Sequence, residues 1–175
     1  MADNYLQFSE TLDDLTDEEE AWLKSQLECI CIIDGVEYSD GAVPIELDND
    51  EPEWEGCRVY QDMQDRDLYS GQAAGFEYEF HGGELSSFSN RYLWIYATEH
   101  AELACLVHLI RKFLQKFRPN DSWTLTYALT CSKLRAGEFG GGAVFVTAER
   151  DKWNSANYFI SKEFYKWQRK KAKRK

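Results

Sequence analysis

Cations are nearly absent from the first part of this chain. From Met1 to Glu102 only Lys24, Arg58, Arg66 and Arg91 stand against 26 Asp and Glu, a net −22, whereas Leu103 to Lys175 carries 16 Lys and Arg against 5 acids, a net +11. A division of that size sets up a field that bears on partners and solubility rather than on fold. Also missing is any apolar run of the roughly 18 residues that a membrane helix needs. The Met-Ala-Asp-Asn-Tyr start has neither the basic residues nor the apolar stretch of a secretory signal. A cytoplasmic protein is expected.

Cysteine pairing motifs are lacking as well. Cys29, Cys31, Cys57, Cys105 and Cys131 are odd in number, include no Cys-x-x-Cys, and have no His at zinc-finger spacing. Each falls in an apolar strand or helix pattern, so buried reduced thiols are expected and a structural zinc site is not. Proline occurs three times, at Pro44, Pro52 and Pro119. What is plentiful is aromatic side chain: 6 Trp, 10 Tyr and 10 Phe in 175 residues exclude a disordered acidic protein. A chain of this length holds one full hydrophobic core and is short for two.

Thr16-Asp17-Glu18-Glu19 has the form of a capping box, in which a threonine hydroxyl and a glutamate carboxylate exchange hydrogen bonds with each other's amides. A short helix to about Glu28 should follow, its acidic first turn favoured by the helix dipole. Residues 29–33 are apolar and β-branched, and Asp34-Gly35 signals a tight hairpin into Val36 to Tyr38. Gly41 to Gly56 reads as an exposed acidic loop and 57–63 as a further strand. Phe76, Tyr78 and Phe80 alternate with Glu77, Glu79 and His81, a half-buried strand, and Tyr92 to Ala97 suits a central one.

The clearest helix carries Leu103, Leu106, Val107, Ile110, Phe113, Leu114 and Phe117 in one stripe, with Thr98 as a cap and Pro119 past its end. Trp123, Leu125, Tyr127, Leu129 and Cys131 alternate with Thr124, Thr126, Ala128 and Thr130, the clearest strand, and Ala143 to Ala148 forms another. From about Asp151 a helical spacing places Trp153, Ala156, Ile160, Phe164 and Trp167 on one side. The first ten residues show no clear period. The sum predicts a single α+β domain over residues 1–168, a mainly antiparallel sheet of about five to seven strands with two or three packed helices. A basic disordered tail over 169–175 is expected to follow.

Catalytic patterns are weak. Gly137-Glu138-Phe139-Gly140-Gly141-Gly142 has the glycines of a phosphate loop, but a strand rather than a helix follows it, so a hairpin loop is the better reading. His81, His100 and His108 lack the spacing of a helical metal site, and Ser86, Ser87 and Ser89 lack a nucleophile elbow. The Asp48, Asp50, Asp62, Asp65 and Asp67 set has no calcium-loop register. No cofactor, no metal and no catalytic residue is assigned, and a non-enzymatic protein is expected.

Tyr5-Leu6-Gln7-Phe8-Ser9-Glu10, Leu15 to Leu23 and Gly137 to Ala148 resemble segments of a loose group of uncharacterised bacterial and mobile-element proteins. The resemblance covers about a fifth of the chain. It implies a bacterial or phage setting, and no activity or site residue comes with it.

The charge map gives the functional expectation. Duplex DNA presents one charge per roughly 1.7 Å of axis, and carboxylates at comparable density can stand in for phosphates. The chain therefore reads as an acidic module that binds a cationic protein surface, a nucleic-acid mimic inhibiting a nuclease, restriction or CRISPR-type effector. Its expected contacts are Asp48, Asp50, Glu51, Glu53 and Glu55, then Asp62, Asp65 and Asp67, with Phe139 in the glycine loop. The alternative is nucleic-acid association through the basic end, by Lys166, Trp167, Arg169, Lys170, Lys171, Lys173, Arg174 and Lys175, where rings and cations interleave. Head-to-tail pairing of the two oppositely charged parts is a third reading.

Overall fold

The computed structural model describes residues 3–27, 29–33, 36–39, 53–57, 75–82, 90–133 and 138–172. Among these, nine strands and three helices make an α+β domain built on an antiparallel six-stranded sheet. The strands are β1 (Asn4–Leu12), β2 (Cys29–Ile33), β3 (Val36–Ser39), β4 (Glu53–Cys57), β5 (Glu77–His81), β6 (Tyr92–Ala97), β7 (Ser122–Cys131), β8 (Gly140–Thr147) and β9 (Asp151–Ser155). The helices are α1 (Asp17–Leu27), α2 (Leu103–Phe117) and α3 (Ala156–Ala172). The large sheet runs β5-β6-β1-β7-β8-β9, and β3-β2-β4 form a second, three-stranded sheet. Within it β2 and β3 pair with Ile33 opposite Val36, the register that a two-residue connection demands.

The expected strand order omitted β1, which the structure places at the centre of the sheet. Residues 4–7 pair with β7, and residues 8–12 pair with β6. Glu10 stands just past this change of partner, opposite the buried Ile95. Its Oε1 accepts the Thr126 amide at 3.1 Å, supplying the acceptor that the β1 backbone no longer provides to β7. A carboxylate in mid-strand is what hid the alternation of Leu6, Phe8 and Leu12.

The core lies between one face of the large sheet and helices α1 and α2. Leu93, Ile95, Leu125, Val144 and Val146 from the strands are buried with Leu23 and Leu27 of α1 and Leu106, Ile110 and Phe113 of α2. The stripe read from the sequence is thus the inner face of α2. Its cap differs: Glu102, not Thr98, is the N-cap residue, and its carboxylate accepts the Ala104 amide at 3.2 Å. Along β7, Trp123 and Leu125 are buried and Thr124 and Thr126 exposed, as the alternation requires. The pattern fades at the far end, where Leu129 is exposed and Cys131 is only partly covered, its thiol 2.9 Å from Glu138 Oε2.

The capping box forms as expected. Glu19 N donates to Thr16 Oγ1 at 3.3 Å, and Thr16 N donates to Glu19 Oε2 at 2.8 Å. Glu19 is also among the buried polar groups, 5% exposed, because Arg118 just past α2 reaches it with two bonds, Nε to Oε1 at 2.6 Å and Nη2 to Oε2 at 3.0 Å. The guanidinium additionally donates to the carbonyls of Asp13 and Asp14. One side chain thereby ties the turn before α1 to the end of α2.

Gly140 to Gly142, expected in a hairpin loop, are the first residues of strand β8. The physical reason is space. A Cβ on Gly141 would lie 2.4 Å from the Tyr127 carbonyl oxygen and would need φ near +146°; one on Gly142 would lie 2.6 Å from the Asn154 carbonyl oxygen and 2.7 Å from the Tyr127 hydroxyl. The glycines let β7 and β9 close on β8. Gly142→Ala should cost about 1–3 kcal/mol through overpacking, read as a lowered melting temperature, while Gly140→Ala, with only a side chain at 3.8 Å, should change it far less.

Candidate functional site

The six-stranded sheet has an outer face, away from α1 and α2, and its two halves differ in chemistry. On the β5-β6-β1 half, opposite residues in an antiparallel ladder share a face. The register sets Glu77 beside Tyr96, Glu79 beside Trp94 and His81 beside Tyr92. Ser9 and Thr11 of β1 continue the same rows. The buried Leu93, Ile95 and Ala97 of β6 point to the core, so Tyr92, Trp94 and Tyr96 point outward.

These side chains order one another. Trp94 and Tyr96 stack with ring centroids 4.2 Å apart, and His81 stacks on Tyr92 at 4.9 Å. The Trp94 indole donates to Ser9 Oγ at 2.9 Å, and the Tyr96 hydroxyl donates to Glu79 Oε1 at 3.0 Å. That bond to Glu79, with Glu77 nearby, pushes the Tyr96 phenol up to about 12. His81 Nε2 is buried and 3.2 Å from Glu79 Oε2, out of line for a hydrogen bond. The outcome is a held ladder of rings flanked by two exposed carboxylates. A π face and a carboxylate both attract cations.

The β7-β8-β9 half is capped by α3 instead. Thr124 lies beside Phe145, and Phe145 beside Lys152. Ser155 starts the helix, its Oγ accepting the Tyr158 amide at 3.2 Å. Between helix and strands runs a groove of about 770 Å³, whose walls include Thr124, Phe145, Lys152, Phe159, Lys162 and Lys166. The helix is not sunk into the domain. Tyr158, Phe159, Phe164 and Trp167 are more than half exposed, Ile160 is 63% exposed and Tyr165 66%. Phe164 and Trp167 stack on its surface at 6.0 Å, and Lys162 sits 5.8 Å from the Tyr158 ring centre.

Of the expected acidic contacts, Asp48, Asp50, Glu51, Asp62, Asp65 and Asp67 lie outside the described residues. Glu53 and Glu55, expected in a loop, belong to strand β4, paired with β2. Phe139 is 45% exposed just before β8. At the basic end, Lys166, Trp167 and Arg169 are exposed on α3, and Lys170 and Lys171 are helical, so α3 reaches three residues beyond the residue 169 at which a tail was expected. Lys173, Arg174 and Lys175 lie outside the described residues. Residues 151–155, expected to open this helix, are strand β9.

Sequence reasoning missed the β5-β6 ladder as a surface. The alternation of Glu77, Glu79 and His81 was legible, but Tyr92 to Ala97 reads as apolar throughout, which conceals that its three largest polar-tipped rings share the outer face. Among the described residues no group of three or more His, Cys, Asp or Glu could hold a metal ion, and no helix is long and apolar enough to cross a membrane. No protein-family model matches this chain, and neither a curated protein nor a solved structure does.

Proposed function

We propose that this protein is a non-enzymatic binding module of the cytoplasm that engages a cationic protein surface through its acidic part, as a nucleic-acid mimic inhibiting a nuclease, restriction or CRISPR-type effector. The observation that carries this is the outer face of β5, β6 and β1, where exposed Glu77 and Glu79 flank the ordered rings of Tyr92, Trp94 and Tyr96. A nucleic acid offers a protein the same two chemistries, anionic oxygens at the edge and stacked π faces within. A groove evolved for that polymer, rich in Lys and Arg, finds both on this face. The acids of residues 48–55 and 62–67 add to its long-range field, which steers encounter.

The test is capture from a bacterial lysate, eluted in a salt gradient, with the wild-type chain and Glu77→Lys/Glu79→Lys as baits. The wild type should retain a basic nucleic-acid-binding protein that elutes at moderate salt and is displaced by duplex DNA; the reversed bait should lose it. Equal capture by both, or capture indifferent to salt and DNA, sinks the reading. The second reading, nucleic-acid association, is favoured by the exposed Lys162, Lys166 and Arg169 beside Tyr158 and Tyr165 on α3. It predicts a salt-sensitive shift of labelled single-stranded DNA by the purified protein.

A further inference from the structure

Opposite residues of an antiparallel ladder share a face, so the floor beneath α3 consists of two rows: Thr124, Phe145 and Lys152, then Thr126, Ala143 and Asn154. The alternate residues Leu125 and Val144 are buried in the core, which fixes both rows as outward. Across the groove α3 presents Tyr158, Phe159, Lys162, Glu163 and Lys166, all from one side of the helix. Ile160, Phe164 and Trp167 lie on its other side. The groove of about 770 Å³ falls within the roughly 300–1,000 Å³ of small-molecule sites.

Two chemistries in this groove lack their complement. Three lysines line it with one carboxylate, Glu163, and Lys166 is the lysine that pairs with it. Lys152 and Lys162 have no carboxylate partner among the described residues, and Lys162 stands four residues from Lys166, where like charges destabilise a helix. The rings are equally unmatched. Phe145 is 45% exposed and Phe159 56%, and among the described residues neither stacks on another ring, whereas Trp94 and Tyr96 on the other half of the sheet stack on each other and Tyr92 on His81. Unpaired ammonium groups attract an anion, and open π faces attract a planar ring.

We infer that this groove binds a nucleotide, its base lying against Phe145 and Phe159 and its phosphate held by Lys152 and Lys162. Thr126 and Asn154 bring a hydroxyl and an amide to the floor for the polar edge of the base, and Ala143 between them leaves the space. A free nucleotide and a nucleotide within a single strand share this chemistry. The net charge of −11 favours the free one, because repulsion accumulates with every phosphate of a polymer while a lone phosphate sits among the groove's lysines. Tyr165 and Arg169, which a strand running along α3 would use, lie outside the groove. The acidic β5-β6-β1 face takes no part in this site, so the inference stands apart from the inhibitor role.

The experiment is isothermal titration of the full chain with AMP, GMP, CMP and UMP, and with inorganic phosphate and the four nucleosides as controls for each chemistry alone. At least one mononucleotide should bind saturably, one molecule per chain, with phosphate and its own nucleoside each about tenfold weaker or worse. Phe145→Ala and Lys152→Gln/Lys162→Gln should each weaken that binding about tenfold or more, with unchanged circular dichroism, because all three side chains are solvent-facing. Ile160→Ala, on the far side of the helix, should leave it unchanged. No saturable binding of any mononucleotide overturns the inference, as does phosphate binding as tightly as the nucleotide or affinity that survives the Phe145 and lysine variants. Oligo(dT) distinguishes the sources. Competition with the mononucleotide at equal affinity supports a site for the free unit; affinity that climbs with oligonucleotide length and falls in the same groove variants supports the single strand as the source. A strand shift that persists in those variants while no mononucleotide binds overturns the inference and assigns the open side of α3 to strands.

Discussion

Arg118→Met is expected to destabilise the domain by about 3–5 kcal/mol, because it strands the Glu19 carboxylate in a buried position. Glu19 is 5% exposed, and its partners besides Arg118 are the amide and hydroxyl of Thr16. Deleting both charges should hurt less: Glu19→Gln keeps the capping-box bond to the Thr16 amide, so Glu19→Gln/Arg118→Met should recover a good part of the loss. The pH profile gives an independent check. Arg118 chiefly, with help from Thr16 and against the cost of burial, holds the Glu19 carboxyl below its ordinary value of 4.5. A carboxyl depressed in the folded state contributes stability that is fully present above its unfolded value and is lost as pH falls toward the folded one. Wild-type stability should therefore drop on acidification below about pH 4.5, the ordinary value. In Arg118→Met that drop should flatten, since protonation then relieves an unpaired buried charge. Denaturant titrations at neutral and acid pH decide it. Equal acid slopes in wild type and variant would mean that the pair is not what tunes Glu19.

How much of this could be read from the chain varies with the kind of signal. Thr16 and Glu19 announce a capping box because its bonds are local, spanning three residues, and the structure contains it. The α2 stripe and the β7 alternation were likewise legible, since periodicity within one element reports which side is buried. Arg118 was not, because its bond to Glu19 crosses 99 positions of sequence. Nor was β1, whose partner changes midway and whose Glu10 breaks the apolar alternation while serving as a hydrogen-bond acceptor. The aromatic row of α3 shows the limit of periodicity: its helical spacing marks one side of a real helix, but Ile160, Phe164 and Trp167 on that side are exposed in the single chain. Periodicity identifies an apolar face without saying whether the same chain covers it. The outer ladder of β5 and β6 was half legible, through Glu77 and Glu79, because only strand pairing reveals that Tyr92, Trp94 and Tyr96 lie on their side.

Leu125→Asp should abolish folding at ambient temperature, whereas Thr124→Asp, one residue away on the same strand, should shift stability by less than about 1 kcal/mol. Leu125 is fully buried in β7, opposite Val144 of β8, within the cluster that includes Ile110 and Phe113 of α2. An aspartate there has no cation among those neighbours, and desolvating it without a partner costs several kcal/mol at least. Losing the leucine adds about 2–5 kcal/mol for the missing apolar contact and the cavity left behind. Together these are comparable to the roughly 5–15 kcal/mol that holds a domain of this kind folded. Thr124 faces the outer groove, beside Phe145 and across from Lys152 one strand further, so an aspartate there remains solvated and near a positive charge. The comparison isolates side-chain direction, because the two positions share a backbone, a strand and a pair of neighbouring strands. Thermal melts followed by circular dichroism suffice. Similar losses at both positions would show that β7 does not present alternate residues to the helices and to the groove, and with it would fall the division of this sheet into an inner face that holds the fold and an outer face that is left for partners.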